Sequence, residues 1–182
     1  MKRVKIGSVV LELVQGNIAN QPEMEAVVNA ANAMLASGGG VAGAIHSAAG
    51  PGLYEECRPL APIRPGQAVI TGAHGLPNRY VIHTLGPVYG KDKPEDKILA
   101  ECYRNSLKLA EEKRIASLAF PAISTGIFGY PVRDAARVAL NTVIAMAPQL
   151  KYVQKIRFVL YSDSDLKAHE EALEALMNTP GL

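Results

Sequence analysis

Short apolar, β-branched runs alternate along this chain with longer stretches of helical spacing, and that alternation admits few folds. A strand that is apolar at nearly every position has both faces covered, the condition of a strand held between two layers of helix. Leu118-Ala119-Phe120 and Phe158-Val159-Leu160 are of this kind, whereas Val-Val-Leu-Glu-Leu-Val at 9–14 alternates weakly. Strands are expected over residues 9–14, 26–29, 67–71, 80–84, 117–120 and 156–161, and helices over 41–49, 52–58, 94–113, 131–147 and 165–177. The chain therefore reads as an α/β layered fold. Pro94 and Pro131 suit a first helical position, where the missing N–H is no loss. Asp165 is placed to cap the last helix and Asn178-Thr179-Pro180-Gly181 to stop it.

No internal repeat or low-complexity segment divides the 182 residues, and neither the proline-rich connector at 59–65 nor the polar turn at 90–93 resembles a domain linker, so one domain over 1–182 is expected. With 48% hydrophobic and 20% charged residues, disorder and coiled coil are excluded. Nineteen Lys+Arg against 17 Asp+Glu leave a charge of +2 without a polybasic run, too weak a field to bind nucleic acid by bulk electrostatics. Cys57 and Cys102 form no C-x-x-C pair and the four histidines lack ligand spacing, so neither a disulfide framework nor a metal is expected. No apolar stretch approaches the roughly 20 residues that span a bilayer, and Met1-Lys2-Arg3-Val4-Lys5-Ile6 leads into no signal-like region. The expectation is a monomer in the cytoplasm, with reduced thiols and no membrane contact.

Three segments concentrate the chemistry. In Ser37-Gly38-Gly39-Gly40-Val41-Ala42-Gly43, three consecutive glycines run straight into a predicted helix. Such a segment is either a surface loop or a place where backbone approaches a ligand closely, and the free N–H groups of a helix start suit an anion. Gly38, Gly40 and Gly43 satisfy G-x-G-x-x-G, but eight residues separate them from the strand and no acidic residue ends the next strand, so a dinucleotide-linked oxidoreductase rests on coincidence. A Walker A loop is absent. The second segment, residues 121–131, likewise leaves an apolar strand and enters a helix. Parallel strands would bring both loops to one sheet edge, where they suit a diphosphate. In the third, Val27-Val28-Asn29-Ala30-Ala31-Asn32, two amides end a buried strand. Asn29 and Asn32 either brace loop backbone or hold sugar hydroxyls, which an amide can do as donor and acceptor together.

Together and in this order, Val14-Gln15-Gly16-Asn17-Ile18, Val28-Asn29-Ala30-Ala31-Asn32, Gly38-Gly39-Gly40-Val41-Ala42-Gly43-Ala44-Ile45-His46, Tyr80-Val81-Ile82-His83-Thr84 and Ile123-Ser124-Thr125-Gly126-Ile127-Phe128-Gly129 closely resemble the macrodomain family, over roughly residues 9–177. The resemblance implies a three-layer α/β/α fold around a mixed six-stranded sheet, with a cleft at one sheet edge for ADP-ribose. By the same resemblance Gly38, Gly39, Gly40, Val41, Ala42 and Gly43, with Ser124, Thr125, Gly126, Ile127 and Phe128, would wrap the diphosphate and distal ribose. Asn32 would hold the distal hydroxyls as the catalytic residue. At the other end the Asn17-Ile18 turn would contact the polar edge of adenine and Tyr161 would stack on its face. Asn29 is carried as a further ligand residue.

Two positions depart from the family pattern. Asn17 stands where most members have Asp to accept a bond from the adenine amino group; it keeps an acceptor oxygen but loses the charge that makes such a bond roughly twice as strong. Ala42 stands where the Gly-Gly-Val-Asp-Gly branch has an aspartate tied to hydrolysis; the Gly-Gly-Gly-Val-Ala-Gly form is similar to viral and some archaeal members, while Ser124 to Pro131 is more like the aspartate-bearing branch.

The activity implied is hydrolysis of mono-ADP-ribose from modified proteins or related derivatives. With no evident protein base, a diphosphate oxygen would orient the water. His46 and Asp134 are read as cap or surface residues and His83 as a satisfied core histidine. The alternatives are a non-catalytic reader of ADP-ribose, free or on protein, and an O-acetyl-ADP-ribose deacetylase or ADP-ribose-1''-phosphate phosphatase. No cofactor is implied.

Overall fold

The computed structural model describes residues 1–178. Among these, seven strands form one sheet: β1 (Lys2–Ile6), β2 (Val9–Gln15), β3 (Ala26–Ala30), β4 (Ala68–Gly72), β5 (Tyr80–Thr84), β6 (Ser117–Phe120) and β7 (Lys155–Leu160). Their order across the sheet is β1-β2-β7-β6-β3-β5-β4. Strands β2, β7, β6, β3 and β5 run parallel, while β1 and β4 close the two edges antiparallel. The mixed sheet thus has one strand more than the six expected. The extra strand is β1, in which Arg3-Val4-Lys5-Ile6 alternates charged and apolar residues; its charges read as a basic terminus, yet exposed cations are how an edge strand avoids further pairing.

Two helical layers cover the sheet. The first holds α1 (Gly40–Ala49) and α2 (Pro51–Cys57); the second holds α3 (Glu95–Glu112), α4 (Val132–Met146) and α5 (Asp163–Met177). The strand period of two divides the core between them: Val27 packs with Ile45, Leu53 and Val159, whereas its neighbour Val28 packs with Leu99, Leu140 and Phe120. On the second face Tyr103, Phe120 and Phe158 form a triangular cluster with ring centroids 5.0, 5.6 and 5.9 Å apart. Beyond α1 and α2, the first face carries a buried cross-strand ion pair. Glu12 and Arg157 are register partners, and Arg157 Nε donates to Glu12 Oε1 at 3.1 Å.

Helix ends differ from expectation in detail. Pro94 and Pro131 are N-caps with extended backbone, one residue before the helix, because an extended residue can still give its carbonyl to the first turn. Ser162 caps α5, its hydroxyl accepting from the Asp165 N–H at 3.1 Å, so Asp165 is capped and not the cap. Asn178 is the C-cap of that helix; Thr179, Pro180 and Gly181 lie outside the described residues. No described helix is long and apolar enough to cross a membrane.

Candidate functional site

Five parallel strands send five loops to one edge of the sheet, the edge at which open α/β sheets bind ligands. Two of these loops meet. A cavity of about 330 Å³ lies between Gly39, Gly40 and Val41 on one side and Ser124, Gly126, Ile127 and Phe128 on the other, with Ala30, Ala31 and Gly86 among the remaining lining residues. None of the lining side chains is titratable. What the cavity offers an anion is backbone, including the start of α1, where no side chain caps the first N–H groups.

Close packing requires glycine at one position of the first loop region, and a left-handed backbone (φ +57) favours it at Gly40. A Cβ at Gly43 would lie 2.3 Å from the Gly38 carbonyl oxygen, so only glycine lets the loop fold back onto its own helix. Ala42 is buried in the first turn. Gly38, Ala42 and Gly43 therefore belong to the loop's framework, outside the cavity lining.

The second loop is tied by its own polar groups. Ser124 holds a left-handed backbone (φ +68) and its hydroxyl donates to Pro87 O at 2.8 Å; Thr125 Oγ1 donates to Ala122 O at 3.0 Å. Both hydroxyls are thus spent on loop shape, and Ser124 has no base beside it to make it a nucleophile. Ile127, at the tip, is 98% exposed. The partner of this loop is one the sequence reading missed. A Cβ on Gly86 would stand 2.1 Å from Ser124 Oγ and 2.6 Å from Ile123 Cγ2, and Tyr89 N–H donates to Phe128 O at 2.8 Å. The available signal was Gly86-Pro87 one residue past a strand whose C-terminal end opens on the cleft.

Asn32, half-buried just past β3, follows the lining residues Ala30 and Ala31 but is not itself in the cavity lining. Its Nδ2 donates to Ala36 O at 2.8 Å and its Oδ1 accepts from Ala36 N–H at 3.0 Å, which leaves one N–H and one lone pair for another partner. Asn29 is fully buried and does not line the cleft. Its Nδ2 donates to His83 Nδ1 at 3.1 Å, His83 Nε2–H donates to Thr71 Oγ1 at 2.9 Å, and Thr71 donates to Gly72 O at 2.9 Å. This chain of donors fixes His83 as a neutral imidazole, and burial pushes its pKa down to about 3. His83 is accordingly a satisfied core histidine.

His46 is not the surface residue expected: it is buried, its Nε2 has no hydrogen-bond partner, and burial lowers its pKa. The helix turns it inward beside Ala42 and Ala49, against the sheet. Asp134, half-buried, pairs with Arg137 and lies off the cleft. Burial pushes both thiols, Cys57 and Cys102, up to about 11, so neither is an activated nucleophile. Among the described residues no group of three or more His, Cys, Asp or Glu could hold a metal ion.

At the far end of the sheet edge, Gly16 N–H donates to Leu160 O at 2.9 Å and thereby sets the 16–18 turn beside Tyr161, which stands 88% exposed just past β7. Ile18 is buried. Asn17 Oδ1 accepts from Ala19 N–H at 2.9 Å, while Asn17 O accepts from Gln21 Nε2 at 2.9 Å.

The family model described as Macro domain matches residues 28–139, a span that includes both cleft loops. A macro domain-containing protein of Chlorobaculum tepidum is 51% identical over 153 residues, covering 84% of this chain and 89% of that protein. A Klebsiella pneumoniae protein named O-acetyl-ADP-ribose deacetylase is 43% identical over 167 residues, covering 89% and 95%. Among solved structures, a mutant Oceanobacillus iheyensis macrodomain with ADPR has a TM-score of 0.93 at 37% identity, covering 98% of this chain and 99% of that one. The Trypanosoma brucei macrodomain in complex with ADP-ribose has a TM-score of 0.83 at 35% identity, covering 90% and 68%. Sheet order, cleft loops and these similarities agree, and the chain belongs to the macro domain family.

Proposed function

We propose that the cleft binds ADP-ribose, free or attached to protein, and that the chain hydrolyses mono-ADP-ribose from modified proteins or related ADP-ribose derivatives with help from the substrate itself. The observation that carries this reading is a cavity of about 330 Å³ walled by glycine-rich backbone and a helix start, with no titratable side chain in its lining. A helix start contributes about 0.3–1 kcal/mol toward an anion, so most of the affinity comes from direct N–H bonds to the diphosphate. Gly39 to Val41, held in place by Gly38, Ala42 and Gly43, and the Ser124 to Phe128 loop wrap that group and the distal ribose, whose hydroxyls take the free N–H and lone pair of Asn32. Asn17, Ile18 and Tyr161 receive the adenine. The solved macrodomains with ADPR and with ADP-ribose support this ligand.

Without a protein base, a diphosphate oxygen orients the water that attacks the anomeric carbon of the distal ribose. Positioning of this kind is worth up to about 7–11 kcal/mol, enough for a slow hydrolase. Asn32→Ala is expected to lower turnover of a mono-ADP-ribosylated protein by about tenfold for each sugar hydrogen bond lost, with ADP-ribose binding retained. Unchanged turnover would remove Asn32 from the mechanism. Calorimetry with ADP-ribose, ADP and AMP tests the site itself: a diphosphate-plus-distal-sugar cleft prefers ADP-ribose.

The Klebsiella relative's name favours a second reading, removal of an acyl group from O-acetyl-ADP-ribose, with phosphate removal from ADP-ribose-1''-phosphate as its counterpart. Acetate release from O-acetyl-ADP-ribose reports it directly. Ala42, which brings no carboxylate to the first loop, is compatible with a reader that releases its ligand intact; catalytic amounts of protein acting on a modified target, followed on a gel, separate reader from hydrolase.

A further inference from the structure

Two tyrosines grip the second cleft loop by its ends. Tyr89 N–H donates to Phe128 O at 2.8 Å and Tyr130 N–H to Ser124 O at 2.9 Å. Neither tyrosine lines the cleft. Their rings, with centroids 4.9 Å apart and planes inclined by 58°, line a separate pocket of about 350 Å³ together with Glu95, Asp96, Asp134 and Arg137. The 124–128 loop therefore borders the cleft and is hydrogen-bonded to residues of this pocket, which places the two side by side. The carboxylates alone need no ligand, because Glu95 and Asp96 stand in the first turn of α3 and Asp134 in the first turn of α4, where a helix start favours an anion.

Tyr130 is different. It is only 4% exposed, yet its hydroxyl has no hydrogen-bond partner among the described residues, and a phenol at that depth is normally bonded. Burial first, and then Asp96, Tyr89, Asp134 and Glu95, push its pKa up to about 12; all four of those residues line the pocket, so the hydroxyl faces it. Asp134 pairs with Arg137, whereas Glu95 accepts from Gly90 N–H at 3.0 Å and Asp96 from Lys97 N–H at 2.9 Å, and neither is paired with a cation among the described residues. Three carboxylates against one guanidinium, two aromatic rings and a free phenol oxygen attract a cation and repel an anion. Resting on the reading of the cleft above, we infer that this pocket takes the cationic side chain, lysine or arginine, of a residue close to the modified one in an ADP-ribosylated protein. Position favours a side chain of the target over a free amine: in that reading the distal ribose, from which the protein extends, lies against the same 124–128 loop.

Calorimetry of the full chain tests this with three ligands: free ADP-ribose and two synthetic peptides that carry ADP-ribose on one side chain through a hydrolysis-resistant link, one with lysine at the three positions on either side of that residue and the other with glutamine. The unmodified chain is expected to bind the lysine peptide about tenfold more tightly than the glutamine peptide, the size of one hydrogen bond to a charged group. Asp96→Asn and Tyr130→Phe are each expected to cut that ratio about threefold or more while the affinity for free ADP-ribose stays unchanged. Glu112→Gln, which removes an exposed carboxylate at the other end of α3, is expected to leave the ratio as it is. Equal binding of the two peptides by the unmodified chain overturns the inference. So does a ratio that either Asp96→Asn or Tyr130→Phe leaves intact, or one that Glu112→Gln lowers as much as Asp96→Asn does, since attraction by overall charge needs no pocket. A chain that binds neither peptide and no ADP-ribose has no such ligand in its cleft, and the reading on which the inference rests falls with it. Thermal unfolding confirms that the variants, altered at exposed carboxylates or by one unpartnered hydroxyl, are folded.

Discussion

Gly86→Ala is expected to weaken ligand binding by tenfold or more and to destabilise the fold by about 1–3 kcal/mol, the usual range for atoms added to a filled space. The new methyl would stand 2.1 Å from Ser124 Oγ and 2.6 Å from Ile123 Cγ2, distances that no side-chain rotation at residue 86 can relieve. Ser124 cannot yield freely, because its hydroxyl is bonded to Pro87 O and its carbonyl accepts from Tyr130 N–H at 2.9 Å. The displacement therefore passes to the 124–128 loop, of which Ser124, Gly126, Ile127 and Phe128 line the cleft. Calorimetry with ADP-ribose and urea unfolding measure the two effects. A double substitution, Gly86→Ala with Ser124→Gly, removes the Oγ and also relieves the left-handed backbone at 124, so it should recover part of both losses as a coupling between the sites. Wild-type affinity in Gly86→Ala would show that the second loop does not depend on this contact.

Stability is expected to fall by roughly 2 kcal/mol between neutral pH and about pH 5. The cause is His83. Its folded pKa, pushed down to about 3 by burial and by the nearby His46, lies below the ordinary value of 6.5. The folded state therefore holds the imidazole neutral where the unfolded chain takes up a proton. Well above pH 6.5 neither state binds that proton and stability is flat; as pH falls through 6.5 the unfolded state binds more protons, and stability declines until pH approaches the folded pKa. His46 and His169, both lowered by burial, add to the same slope. Urea unfolding at a series of pH values measures it, and His83→Gln should remove the largest share. A flat profile from pH 7 to 5 would mean that His83 is protonated in the folded protein, against the donor chain from Asn29 to Thr71.

The same histidine shows how far residues could be read in order along the chain. Val27 and Val28 announce a strand covered on both sides, and the register Asn29↔His83 between β3 and β5 follows from their runs being parallel neighbours. Asn29 and Asn32, three residues apart, both read as candidates for sugar hydroxyls. The sheet separates them: Asn29 is still inside β3 and turned into the core, whereas Asn32 has left the strand and braces the loop at Ala36. His46 was misjudged for the same reason. Its place in α1 is legible, but which side of a short helix meets the sheet is decided by the helix's packing.

Local chemistry in the sequence determined six of the seven strands, the helices, the two glycine-rich turns at strand ends and the family to which they belong, because periodicity, proline and glycine act within a few residues. Tertiary structure alone decided the rest. Gly86 matters only because a distant loop places Ser124 against it, and β1 is a strand only because β2 lies beside it with Glu12 facing Arg3. Each of these is a contact between groups whose separation along the chain, or whose orientation within a turn, is settled when the sheet assembles and no earlier.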